Sequence, residues 1–281
     1  MAAIDLNAIR ALLQAAIQED IGSGDITSRA TIAPTASAVA RYTTKQALVV
    51  AGLPVIEELV RMVDPAMSFK ALNKDADFVV SKTAIAELQG PARSILAAER
   101  VTLNLLQRMC GIATQTRAYV DRVRGTRALV IDTRKTAPGL RILDKYAVAC
   151  GGGTNHRMGL FDAVLIKNNH LAFHGSLCET VAEARKILGD SYKIEVEVAS
   201  LTQLGEAIEA KADVILLDNF TPEETRWAVV QCGGRIPLES SGGITLENIR
   251  DYAEAGVDRI SVGALTHSVQ AADIHLRVIP S

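Results

Sequence analysis

The stretch ALVIDTRKTAPGLRILDKYAVACGGGTNHRMGLFDAVLIKNNH, residues 128–170, decides how the rest of the chain is read. Two short apolar runs, 128–131 and 163–166, end abruptly in a charged residue, Asp132 and Lys167. Buried strands end this way where they emerge at a ligand-binding face. Between and at the end of the runs cations crowd: Arg134, Lys135, Arg141, Lys145, His156, Arg157 and Lys167. The whole 281-residue chain has a formal net charge of only -2, so the crowding is local. A polyanionic small ligand is its simplest cause.

Working outward, the same rhythm continues to the end of the chain. Strand-like runs at 128–131, 163–166, 194–198, 214–217, 236–238 and 260–262 alternate with helical segments, the pattern of successive βα units. Helix starts carry capping residues: Ser176 with Glu179, Ser200 with Gln203, and Thr221-Pro222 with Glu224. Repeated units of this kind close into a barrel whose reactive side chains stand at the C-terminal strand ends. Those ends are Asp132, Lys167, Glu197, Asp218, Glu239 with Ser240 and Ser241, and Gly263.

Glu195 and Glu197 alternate with Ile194, Val196 and Val198, so both glutamates point into the barrel if the aliphatics meet the helices. Buried carboxylates need partners. Lys167, a bound cation or a sugar hydroxyl would serve, and an internal Lys–Glu ion pair that only holds the barrel together is the structural alternative. Ser240-Ser-Gly-Gly243 and Val262-Gly-Ala264 each follow a strand and can present amides to a phosphate, with Thr245 as the expected cap after the first. Gly151-Gly-Gly153 matches no nucleotide-binding loop and reads as a helix stop. His170, His174 and His267 lack metal-ligand spacing.

The first third is less regular. Residues 7–20 predict a helix that Gly22-Ser-Gly24 ends, 25–28 a polar turn, 37–50 strand, 53–63 a helix behind Gly52 and Pro54, and 69–88 short strands. A long helix runs from Pro91 to about Val123, with Gly111 as a possible break. Arg100, beside Glu99, reads most plainly as part of a solvated charge pair on it. No apolar run reaches the ~18 residues needed to span a bilayer, and residues 1–10 do not resemble a secretory leader, so the cytoplasm is expected. The four cysteines are widely spaced, which predicts reduced, buried thiols. With 4% aromatic residues and no basic stripe, nucleic-acid binding is not expected.

These residues also form an ordered set of motifs. DTRKTAPGLR at 132–141, GGGTNHR at 151–157, LIKNNH at 165–170, EVEV at 195–198, LLDNF at 216–220 and ESSGGI at 239–244, with EDxGxGDxTS at 19–28, together resemble quinolinate phosphoribosyltransferases over essentially the whole chain. The resemblance implies a type II phosphoribosyltransferase fold: an N-terminal α/β sandwich, 1–112, and an open seven-stranded α/β barrel, 113–267, with 268–281 packing on the first domain. The seventh strand would come from residues 153–155, which periodicity does not pick out. It implies transfer of phosphoribosyl from phosphoribosyl pyrophosphate to quinolinate with decarboxylation, giving nicotinate mononucleotide, pyrophosphate and CO2 for NAD biosynthesis. Carried onto this chain, Arg134, His156 and Arg157, with Arg100 from a neighbouring subunit, would hold the dicarboxylate. Lys135 would lie between both ligands and Lys167 would face the donor. Glu197 and Asp218 would bind ribose hydroxyls or Mg2+, directly or through water or substrate, and Ser241, Gly242 and Gly263 would hold the 5′-phosphate. Lys135, Lys167, Glu197 and Asp218 are the expected catalytic residues. A homodimer with shared active sites is implied, with further assembly left open.

Overall fold

The computed structural model describes residues 4–173 and 175–280, with the side chain of Pro280 excepted. His174, one of the three histidines without metal-ligand spacing, lies outside the described residues. In chain order the elements are α1 (Leu6–Ile21), α2 (Ile26–Thr31), β1 (Ser37–Thr44), β2 (Leu48–Val49), α3 (Leu53–Val63), β3 (Ser68–Ala71), β4 (Phe78–Val79), β5 (Ala84–Pro91) and α4 (Ala92–Arg122). Then come β6 (Leu129–Ile131), α5 (Arg141–Cys150), β7 (Val164–Ile166), α6 (Asn168–Leu171), α7 (Leu177–Leu188), β8 (Ile194–Val198) and α8 (Leu201–Glu209). The chain finishes with β9 (Val214–Asp218), α9 (Pro222–Cys232), β10 (Leu238–Ser241), α10 (Ile249–Ala255), β11 (Arg259–Ser261), α11 (Ala264–His267) and β12 (Ile274–Pro280).

Two compact units result. The first comprises Met1–Arg117, Thr136–Gly152 and Ser268–Ser281, and the second Ala118–Lys135 and Gly153–His267. The loop and helix at 136–152, expected within the barrel, therefore group with the first unit. The physical tie is a two-pronged ion pair: Arg108 Nε and Nη2 each donate at 2.8 Å to the fully buried Asp144 of α5. Such a pair has no signature in local sequence.

The first unit is built on an antiparallel sheet of order β12-β1-β5-β3. Along β1 the pattern alternates, with Ala38, Ala40, Tyr42 and Thr44 buried on one face. Tyr42 donates its hydroxyl to Thr102 of α4 at 2.8 Å, and Ile95, Leu106 and Met109 of the same helix are fully buried. Each such aliphatic side chain contributes about 1.5–3 kcal/mol by leaving water. Gly111 does not break α4: a Cβ there would lie 2.1 Å from the Gln270 carbonyl oxygen, so glycine permits a close backbone approach. The expected turn at 25–28 is instead the start of a helix, because Asp25 accepts from the Thr27 and Ser28 amides and caps α2.

The second unit is a parallel six-stranded sheet of order β6-β11-β10-β9-β8-β7, so the first strand pairs with the last. Five of these strands fall on the apolar runs, whereas β10 begins at Leu238, where the run at 236–238 ends. Residue Thr154 bridges in parallel to Ile131 on the free edge of β6, where the resemblance puts a seventh strand. Its single bridge explains why no apolar period marks it. The aliphatics of β8 and β9, from Ile194 to Leu217, form the buried core. Thr221 and Glu224 make the reciprocal capping box at α9. Ser176 and Ser200 accept from Glu179 and Gln203 amides at the starts of α7 and α8. Thr245 is not a helix cap; Asn248 precedes α10, and its side chain accepts from the Thr245 amide.

Candidate active site

Parallel register lines up the strand ends of the second unit. Ser241 stands beside Asp218, Glu197 beside Leu216, and Ser261 beside Ile131. These ends rim a cavity of ≈ 230 Å³ lined by Thr133, Arg134, Lys135, His156, Arg157, Leu165, Lys167, Glu197, Leu216, Asp218, Glu239, Ser241 and Ser261. Most of the expected site residues thus share one space. Gly263 borders Lys135: a Cβ there would lie 3.2 Å from Lys135 Cδ. Gly242 follows Ser241 at φ 96°, and a Cβ would fall 2.2 Å from Asn219 Oδ1, so the turn after β10 accepts only glycine. Arg100 is exposed on α4, in the first unit, and is not in the lining.

The hydrogen bonds below the cavity form a chain. Fully buried Asp132 accepts from the His156 amide at 2.8 Å. The His156 ring is engaged at both nitrogens: Nδ1 accepts the Arg157 amide at 2.7 Å, and Nε2 lies 3.1 Å from Glu195 Oε2. Nε2 is also 3.7 Å from Glu239 Oε1, and Ser261 donates its hydroxyl to that same oxygen. Arg157 Nη1 donates to the Ala163 carbonyl at 3.0 Å. Burial, and then the Arg134 charge, hold the Arg157 guanidinium below its ordinary value. Burial, and then Glu195, push the Glu239 carboxyl up to about 7. Across the cavity Lys167 Nζ is 2.6 Å from Glu197 Oε2.

A larger cavity, ≈ 330 Å³, opens at the other ends of the strands, where Leu129, Val164, Lys193, Val214 and Arg259 line it. It shares His156 and Arg157 with the first. Chemistry in barrels of this kind sits at the C-terminal strand ends, so the smaller cavity is the candidate active site. Glu239 is one of the expected strand ends, though no role was assigned to it, whereas Ser261 belongs to the cavity without having been expected there. Ser261 sits inside an apolar run with no chemical signal of its own. His156, Glu195 and Glu239 also bring ligand-type atoms within 4.8 Å of one another. Arg157 faces Glu195 and Arg259 faces Glu239, and they already supply countercharge to those carboxylates.

Residues 25–110 match the family model "Quinolinate phosphoribosyl transferase, N-terminal domain", and residues 112–277 match the model of the corresponding C-terminal domain. The chain belongs to the quinolinate phosphoribosyltransferase family. Among curated proteins similar to this family member is the probable nicotinate-nucleotide pyrophosphorylase (carboxylating) of Bacillus subtilis (strain 168). It is 44% identical over 270 residues, covering 96% of this chain and 93% of that one. The nicotinate-nucleotide pyrophosphorylase (carboxylating) of Mycobacterium leprae (strain TN) is 43% identical over 278 residues, covering 97% and 98%. The solved nicotinate-nucleotide pyrophosphorylase of Francisella tularensis superposes with a TM-score of 0.93 at 40% identity over 99% of this chain and 98% of that one. In this quinolinate phosphoribosyltransferase-family chain the whole cavity lining falls within the C-terminal match, whereas Arg100 falls within the N-terminal one.

Proposed function

We propose that this chain transfers the phosphoribosyl group of phosphoribosyl pyrophosphate to quinolinate and releases CO2. The observation that carries the reading is the gathering of Arg134, Lys135, Arg157 and Lys167 against Glu197 and Asp218 in one ≈ 230 Å³ cavity. Adjacent carboxylates on a pyridine ring suit paired guanidiniums, each able to make two parallel charge-assisted bonds. Arg134 and Arg157, with His156 beneath and Arg100 supplied by a second copy of the chain, hold the dicarboxylate. Lys135 spans the two ligands. Lys167 faces the donor, whose 5′-phosphate rests on amides around Ser241, Gly242 and Gly263.

The ring nitrogen attacks the anomeric carbon of the ribose as the bond to pyrophosphate breaks. Positive charge develops on the sugar, and Glu197 and Asp218 stabilise it. The positive charge on the quaternary nitrogen then stabilises the electron pair left on the adjacent ring carbon when its carboxylate departs as CO2, and that carbon takes up a proton. No organic cofactor is required. Glu197 and Asp218 also fit Mg2+, a hard cation that takes one or two carboxylates and completes its shell with substrate oxygens. Because Glu197 already pairs with Lys167, Asp218 is the more available ligand. When bound, Mg2+ neutralises charge on the pyrophosphate.

The working unit on this reading is a homodimer in the cytoplasm. The four cysteines are free, which suits a reducing compartment, and burial pushes the Cys110 and Cys150 thiols up to about 12. Among the described residues no helix is long and apolar enough to cross a membrane. The test is an assay with carboxyl-labelled quinolinate, phosphoribosyl pyrophosphate and Mg2+. Stoichiometric CO2 and nicotinate mononucleotide are expected. Turnover of nicotinate with none of quinolinate, or binding of both substrates without CO2, would overturn the reading.

A further inference from the structure

Glu195 is 6% exposed, points into the barrel, and has no part in the proposed chemistry. One of its oxygens, Oε2, lies 3.1 Å from His156 Nε2; the other, Oε1, is buried with no protein partner among the described residues. A carboxylate retained for folding would be saturated with donors, since each unmet lone pair inside a protein costs free energy. Glu195 instead commits a single oxygen, to one imidazole, with the Arg157 charge nearby. That imidazole is committed at its other nitrogen, where Nδ1 accepts the Arg157 amide at 2.7 Å. An imidazole nitrogen that accepts an amide proton carries none itself, so the ring proton sits on Nε2 and is donated to Glu195.

We propose that Glu195 is a positioning residue for the acceptor subsite: by accepting from His156 Nε2 it selects the imidazole tautomer whose Nδ1 lone pair holds the Arg157 amide, and so sets the Arg157 guanidinium. The inference rests on the reading of Arg157 as an acceptor ligand. It changes what His156 does. With Nε2 spent on Glu195 and Nδ1 on the backbone, the ring serves the acceptor through Arg157. In the opposite tautomer an Nδ1 proton would face the Arg157 N–H at 2.7 Å, donor against donor, and the strand-to-loop turn at 156–157 would have to open. Asp132, which accepts from the His156 amide at 2.8 Å, fixes the same turn from below. Arg157 Nη1 is tied to the Ala163 carbonyl, so the guanidinium cannot follow a shifted backbone without losing that bond. Carboxylate partners orient histidines in this way at metal centres, where removing them typically costs 10–100-fold. Here the oriented group is an arginine one residue away.

The test compares Glu195→Leu, which removes the acceptor, with Glu195→Gln, whose amide oxygen can still accept. Calorimetry should show quinolinate affinity falling about tenfold or more in Glu195→Leu and largely restored in Glu195→Gln. Affinity for phosphoribosyl pyrophosphate should stay within about twofold in both. Nitrogen-15 spectra of histidine-labelled parent protein should show His156 protonated at Nε2 and not at Nδ1, a signature that Glu195→Leu loses. Equal loss of both ligands would mean that Glu195 only supports the barrel. A folded Glu195→Leu variant that binds quinolinate as the parent does, or a parent His156 protonated at Nδ1, would overturn the proposal. If Glu195→Leu does not fold, the parent spectrum still decides. Failure of the activity reading looks different, since the parent itself would then release no CO2.

Discussion

Lys167 Nζ and Glu197 Oε2 are 2.6 Å apart, with the lysine nearly half exposed and the carboxylate largely covered. Glu197 therefore reaches the cavity already partnered, and its charge is balanced before any substrate arrives. A pair this open to water contributes only ~0–1 kcal/mol to folding. It is better placed to tune a ligand than to hold a barrel.

Glu197→Gln follows from that relationship. The change is nearly isosteric, so the melting temperature should move by no more than a few degrees, in line with ~1 kcal/mol. Quinolinate binding by calorimetry should persist while turnover falls at least tenfold. Loss of both together, with a large drop in melting temperature, would mark the pair as structural.

Arg157→Ala removes a half-buried, charge-assisted partner of the acceptor. It should cost roughly 2–5 kcal/mol in kcat/KM for quinolinate. Steady-state kinetics at saturating donor would read this directly, and activity within threefold of the parent would contradict the assigned role.

Arg100→Ala and Lys135→Ala variants should each be nearly inactive if one copy of the chain supplies Arg100 to the barrel of another. Mixed, unfolded and refolded together, half of randomly formed dimers are hybrids, and each hybrid has one intact site. Activity should return to roughly a quarter of the parent's. Hybrids verified by native mass spectrometry that stay inactive would return Arg100 to its own subunit or to a surface role.

The Glu239 carboxyl, pushed up to about 7 by burial and by Glu195, makes stability depend on pH. Its ordinary value is 4.5, so between about 4.5 and 7 the native state holds a proton that the unfolded chain has released. Stability from this group is complete below that window and declines as pH rises through it. Glu239→Gln does not titrate. The melting temperature of the parent relative to this variant should therefore fall between pH 5 and 7.5, and a flat difference would show that Glu239 is ionised throughout.

Gly111→Ala should destabilise the first unit by about 1–3 kcal/mol, because the new Cβ would meet the Gln270 carbonyl at 2.1 Å and backbone must yield. Gly205, in α8, has only Gln231 Nε2 at 3.6 Å. Gly205→Ala should stabilise by about 0.5–1 kcal/mol. Chemical denaturation of the two variants side by side separates helix propensity from close approach.

What could be read from sequence was whatever is local. Five of the six barrel strands are visible as apolar runs, and α3 is found at its observed bounds because Gly52 and Pro54 punctuate its start. The cations and carboxylates of the cavity are legible because they sit just past those runs. Non-local ties are not legible in this way. Nothing near Asp144 announces Arg108, nothing near Gly111 announces Gln270, and the glycine there looks like a helix breaker until the opposing backbone is seen. Ser261 escapes because it lies inside the apolar run at 260–262 and has no charge to mark it. One engagement of the His156 ring is to the neighbouring Arg157 amide, but the other is to Glu195 on β8, so a residue that sequence offers as a substrate ligand proves to be wired into the protein first.

The pairing of β12 with β1 along Ala38–Pro280 to Thr44–Ile274 also orders assembly in time. Strand β12 follows all six barrel strands in the chain, so a ribosome releases β1, β3 and β5 long before it releases their fourth companion. During that interval the outer edge of β1 carries unsatisfied amides and carbonyls, the kind of edge on which other chains nucleate. The barrel, made in between, can close on its own strands while the earlier sheet waits. The first sheet to be synthesised is therefore the last to receive all its strands.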